Sequence, residues 1–245
     1  MGFLRERFRF TLWPTLFTIP AVLFMLALGN WQVERLAWKT ALIDAGTAAM
    51  AAPPVPLPET LAAAGPLDFH HVKAAGSFDH SKELYIIGYD KRGIEGFQIV
   101  TPLILADGRA LLVNRGFVPD SRKDPATRAE GEVAGPVEVD GVLRVPKEPT
   151  GLFSSMVPRN QPGDNIWVYV DVPAMAATVK LDHVLPFYIE ADATPNPGGF
   201  PIGGQTRITL PNDHLQYAIT WYLLALIFTV GYFVYHYKKP EETAP

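Results

Sequence analysis

Residues 10–30 read FTLWPTLFTIPAVLFMLALGN and residues 215–235 read LQYAITWYLLALIFTVGYFVY, two uncharged runs at the two ends of a 245-residue chain. At about 1.5 Å of rise per helical residue, either run is long enough to cross a hydrocarbon core of about 30 Å. Everything between them is therefore expected on one side of a membrane. Arg5, Arg7 and Arg9 precede the first run and Lys238 and Lys239 follow the second. Positive flanks mark the cytoplasmic side, so the pattern predicts an N-in/C-in hairpin with the middle outside. The first run exceeds the apolar core of about 7–15 residues usual in a signal peptide, although Ala27-Leu28-Gly29 would pass as a cleavage site. The start shows no amphipathic Arg/Ser-rich presequence, which favours a bacterial plasma (inner) membrane with a periplasmic middle over an organelle.

The chain has no cysteine, which excludes disulfides and thiolate metal sites. Setting aside the charges at 5, 6, 7, 9, 238, 239, 241 and 242, the 21 Lys/Arg and 25 Asp/Glu fall to 16 and 22. That acidic excess argues against a nucleic-acid surface.

The expected organisation is a cytoplasmic start at 1–9, a span at 10–30, an amphipathic continuation helix at 31–50 and a Pro-rich linker at 51–68. A β-rich domain at 69–192, a Pro/Gly linker at 193–213, a second span at 214–236 and a cytoplasmic end at 237–245 follow. Alternating runs at 69–77, 83–89, 97–105, 110–117, 137–145, 167–171 and 184–190 predict strands. Asp107-Gly108 between two apolar runs predicts a hairpin turn. Pro173 with Asp171 before it predicts a short helix from about 173. The fold class is thus an integral membrane protein with two transmembrane helices flanking a mostly antiparallel β (α+β) outer domain, barrel or sandwich.

Signatures of soluble enzymes are missing: the sequence has no G-x-x-x-x-G-K-[ST], no G-x-S-x-G and no H-E-x-x-H. No pair of carboxylates stands out for acid/base work, so no catalytic residue is expected. Of six histidines, five read as surface or hydrogen-bonded residues. His214 differs. Asn212 or Asp213 is a natural N-cap that places it in the first turn of the second span. A neutral imidazole there is a competent ligand for haem iron. Tyr217 or Ala218, Trp221, Ala225 and Phe228 continue its stripe, a face that could receive a flat macrocycle, or simply an aromatic membrane belt. Trp31, Gln32, Arg35, Trp38 and Lys39 gather at the outer end of the first span. They could contact propionates or a partner, or lie in the lipid interface as a belt with snorkelling cations. Arg115, in the apolar run LLVNRGFVP, points to a buried or edge ion pair or a partner contact.

Five blocks carry a family resemblance: GNWQVERLAWK at 29–39, GIEGFQIVTPL at 93–103, LVNRGFVP at 112–119, NIWVYVD at 165–171 and NDHLQYAITWY at 212–222. In this order they resemble the signature blocks of the SURF1/Shy1 family of cytochrome c oxidase assembly proteins, and the chain looks like a bacterial member. Phe117 stands where the family usually has Trp. The resemblance implies a non-enzymatic assembly factor that acts while the oxidase's catalytic subunit receives haem a. Its other implied partners are haem a synthase and membrane lipid. It also implies that the first span is retained, and that His214 matches a histidine implicated in binding haem a.

Overall fold

The structure is a computed structural model that describes residues 8, 10–151, 154–208 and 212–237. The flanking charges at 5, 7, 9, 238 and 239 lie outside these residues. The chain divides into two compact units, one built from Met1–Asp44 with Thr209–Pro245 and the other from Ala45–Ile208.

The first unit is a helical hairpin. Helix α1 runs from Leu12 to Ala51 as one element, with Pro20 inside it. The C-terminal helix runs from His214 to His236. Both are long and apolar enough to cross a membrane, and very little of either is buried. Phe17, Phe24, Leu226 and Val234 point outward, the reverse of a soluble core helix. Polar pairs join the two antiparallel helices: Thr11 Oγ1 to His236 Nε2 at 2.7 Å, Thr15 Oγ1 to Tyr232 Oη at 2.8 Å, and Tyr222 Oη to Asn30 Oδ1 at 2.7 Å. Gly29 makes the approach possible, because a Cβ there would stand 2.6 Å from the Tyr222 ring. His236 is one of the histidines expected to be ordinary. It is buried, stacked on Phe8 and fully hydrogen-bonded.

The second unit contains α2 (Leu61–Ala64), the strands β1 (His71–Phe78), β2 (Leu84–Tyr89), β3 (Glu95–Leu105), β4 (Ala110–Pro119), β5 (Pro136–Arg144), β6 (Ile166–Trp167), helix α3 (Val172–Thr178) and β7 (Val184–Ala191). The sheet order is β1-β5-β7-β4-β3-β2-β6, and β1 also pairs with β3 through Gly76, Ser77 and Phe78. That extra pairing closes β1, β5, β7, β4 and β3 into a ring, which favours the barrel over the sandwich. The expectation of a mostly antiparallel domain is corrected to a mixed sheet: β4 and β7 run parallel, as do β2 and β6. Parallel neighbours need a crossover, here the long segment that carries β5, β6 and α3 between β4 and β7.

Period-two alternation sorts the side chains. Leu111, Val113, Leu185, Phe187 and Ile189 fill the ring's interior with Val72, Leu103 and Leu143. Leu112 and Tyr188 face the other way, into a second cluster with Leu84, Val100, Trp167 and Met175 beneath α3. Residues 51–68, expected as a linker, pack on the interior cluster through Val55, Leu57, Ala64 and Leu67, and the Val55 amide bonds the His71 carbonyl. The strand expected at 167–171 is only β6. The amides of Val168 and Tyr169 donate to Asn160 Oδ1 and not to a neighbouring strand. Helix α3 starts as expected, with Asp171 Oδ1 accepting from the Ala174 amide. The Asp107-Gly108 turn also forms, with Gly108 at φ +84°.

Candidate functional site

His214 is the first residue of the C-terminal helix, where a ring can project past the helix end toward α1. Asp213 occupies the cap position, but its side chain makes no capping bond. Asn212, the other cap candidate, instead donates from Nδ2 to Thr40 Oγ1 at 3.3 Å. His214 Nδ1 lies 2.6 Å from Gln32 Oε1. An amide oxygen only accepts, so Nδ1 carries a proton and donates; in the neutral form of the ring this tautomer leaves the lone pair on Nε2. Nε2 has no hydrogen-bond partner among the described residues. The Trp31 ring meets the imidazole edge-on, with centroids 6.4 Å apart. A ring oriented through Nδ1 with Nε2 open is the usual preparation of a histidine ligand, and Gln32 is the group that orients it.

The other expected residues divide. Trp31 and Gln32 reach His214, while Arg35 stacks 4.0 Å from the Trp38 ring centre on the exposed side of α1. Trp38 is exposed and Lys39 is half-buried. On the C-terminal helix, Ala218 and Ala225 are buried and Trp221 is half-buried, so this side of the expected stripe is packed. Tyr217 and Phe228 face outward, Tyr217 being 55% exposed. The Asn30–Tyr222 pair escaped the sequence reading, although Asn30 and Gln32 are conspicuous as amides ending an apolar run.

Arg115 belongs to the other unit. It is 2% exposed, and no carboxylate lies within 4 Å of its guanidinium among the described residues. The ion pair, one of the two expected alternatives, is therefore absent among the described residues. Its Nη2 donates to the Gly131 carbonyl at 2.5 Å and to Asn196 Oδ1 at 2.9 Å, and the guanidinium lies over the Phe78 ring at 4.8 Å. Burial lowers its pKa to about 10, with Glu83 pulling the other way. The next two residues hold the same neighbouring segment. Gly116 has φ +120°, its missing Cβ would lie 2.0 Å from the Ile202 carbonyl oxygen, and Phe117 exchanges both backbone bonds with Ile202. The block 112–119 thus clamps residues 196–202 onto the sheet. This is a structural task, and in this state Arg115 offers no surface to a partner. Beside it, Glu83 and Arg128 form a buried bidentate pair at 3.1 and 2.5 Å.

No cluster of three or more His, Cys, Asp or Glu that could hold a bare metal ion exists among the described residues. The model of the SURF1 family matches residues 19–226. The chain belongs to the SURF1 family. Surfeit locus protein 1 of Takifugu rubripes is 39% identical over 240 residues, covering 91% of this chain and 96% of the relative. The protein of the same name from Rattus norvegicus is 41% identical over 228 residues (87% and 71%), and that of Homo sapiens 39% over 226 (86% and 72%). These SURF1 relatives are animal proteins, so the expectation of a bacterial source gains no support from them.

Proposed function

We propose that this SURF1-family chain is a membrane-anchored assembly factor for haem-copper cytochrome c oxidase, and that it holds haem a for the catalytic subunit through His214. Family membership supports the assembly role. The observation that carries the haem reading is the His214–Gln32 bond, which fixes the imidazole tautomer and leaves Nε2 free. The donor chemistry fits: one neutral imidazole nitrogen, one aromatic wall in Trp31, and no competing metal cluster among the described residues. When bound, the haem supplies the iron that His214 Nε2 would ligate. Gln32 orients the ring, Trp31 shields its edge, and Arg35, stacked on Trp38 of the same helix, would be the cation for a propionate. A single protein ligand suits a carrier, which must hold its cargo less tightly than the receiving site does. The two spans anchor the chain N-in/C-in, with the unit of Ala45–Ile208 on the outer side. No catalytic step is assigned.

Co-expression with haem a biosynthesis, purification of the full chain and its Soret spectrum test the reading. Wild type carries a Soret band and His214→Ala loses it together with oxidase assembly. Unchanged haem content and assembly in His214→Ala would remove the ligand role. One observation favours a second reading, a haem-free scaffold that stabilises an early oxidase intermediate: Ala218 and Ala225 are already buried, which leaves less of the stripe open to a macrocycle. That reading expects wild type to copurify with the catalytic subunit and without haem.

A further inference from the structure

Strand β2 has a partner on only half of its outer edge. Strand β6 pairs with Tyr85 and Ile86 and then stops, and among the described residues no strand pairs with Ile87–Tyr89 on that side. Exposed edges are normally blunted by a charge, a proline or a bulge. This one carries Ile87 and Tyr89, 43% and 56% exposed, with Gly88 between them. A glycine at such a position permits close approach of another backbone. The turn that follows is rigidly built: buried Asp90 accepts the amides of Arg92 and Ile94, both at 2.8 Å, and Arg207 donates to the Asp90 carbonyl.

Beside this edge lies a cavity of about 460 Å³, floored by Gly88, Gln98, Asn114 and Glu190 and walled by Tyr169 and Gln205. Three of its polar atoms are buried and have no hydrogen-bond partner among the described residues: Gln98 Oε1, Glu190 Oε2 and Gln205 Oε1. The Gln205 assignment is firm, because its Nε2 donates to the carbonyls of Ile202 and Gly203, at 3.1 and 3.3 Å. Glu190 uses its other oxygen for Arg144 at 2.9 Å. All three orphans are acceptors, so the complement they lack is a set of N–H or O–H donors. Neither Lys91, exposed at the turn, nor Arg207 has a carboxylate within 4 Å among the described residues.

We propose that the open edge of β2 docks an extended segment of a partner protein by strand addition, in line with β6, and that a hydroxyl or amide side chain of the segment donates into the cavity. Strand addition takes its affinity from main-chain bonds and its selectivity from adjoining pockets, and both parts are present here. An acidic residue where the segment passes Lys91 and Arg207 completes the complement. The haem site plays no part in this docking.

The test places a photo-crosslinking amino acid at Tyr89 in the full chain, in its native membrane, with Lys73 on β1 as the control position. Mass spectrometry maps the crosslinked peptide, and thermal melts of the purified chain accompany each variant. The expected result is one defined peptide of a different protein, crosslinked from position 89 and not from position 73. Ile87→Lys and Gln98→Met should each reduce that crosslink at least tenfold while the melting temperature holds or rises, since Gln98→Met removes an unpaired buried acceptor. A crosslink to a second copy of this chain, equal yields at the two positions, or a crosslink indifferent to both substitutions overturns the proposal.

Discussion

Replacing Glu83 by methionine tests how the second unit tolerates its buried charges. Glu83 and Arg128 have side chains only 2% and 1% exposed and share two hydrogen bonds, the shorter at 2.5 Å. Burial works against the Arg128 charge, yet hydrogen bonds and attraction from Glu83 more than offset it and raise the arginine's pKa. Breaking one side of such a pair costs about 3–5 kcal/mol, because the remaining ion stays buried and unpaired. The cost here should reach the upper part of that range, since Glu83 is also the leading attractive influence on buried Arg115. At about 2–4 °C per kcal/mol for a unit of this size, the melting temperature should fall by roughly 10–20 °C. The assay is thermal unfolding of the full chain in detergent, read by circular dichroism in the β region. Arg128→Leu should cost a similar amount, and the double variant should recover well over half of the summed loss. A loss under about 1 kcal/mol, or a double variant as damaged as the sum of the singles, would refute the view of this pair as a coupled, desolvated unit.

Gly116→Ala should destabilise the second unit by about 1–3 kcal/mol, because it combines a φ of +120° with a Cβ driven into the Ile202 carbonyl. Faster hydrogen exchange at the Phe117 and Ile202 amides would register the released clamp. Gly29→Ala pushes the Tyr222 ring from its seat and should break the 2.7 Å bond to Asn30, at a cost of about 1 kcal/mol in helix–helix association measured in micelles. On acidification, the Asp79 carboxyl is held below its ordinary value of 3.8 by the Ser81 hydroxyl first, against burial, with help from Lys82. A depressed folded pKa gives stability that is present above the unfolded value and lost as pH falls through the folded one. Asp79→Asn should therefore flatten the decline in melting temperature between about pH 5 and pH 3.

The two apolar runs were legible because length and lack of charge suffice to define them. The pairing of His214 with Gln32 was not legible, since sequence leaves the rotation of each helix about its axis free. Six of the seven strands could be read by alternation. β6 was overestimated because Asn160, distant in the pattern, supplies the acceptor that a neighbouring strand would have provided. Alternation also carries no information on neighbours, so the parallel β4–β7 pair and the closure through β1 and β3 had to come from the structure. Arg115 showed as an oddity in an apolar run, and burial explained it. Its partners are a carbonyl and an amide oxygen from segments read as loops, which have no signature of their own.

The polar pairs of the hairpin also set a problem of timing. Thr11, Asn30 and Gln32 belong to the part of the chain made first, while His236, Tyr222 and His214 belong to the part made last. About 180 residues separate Gln32 from His214, so at roughly 5–20 residues per second α1 waits some 10–40 s before its companion emerges. Through that interval its two amides have no helix to satisfy them. The newborn α1 is thus a helix with an unmet demand for hydrogen bonds, and whatever group meets that demand must yield when the C-terminal helix arrives.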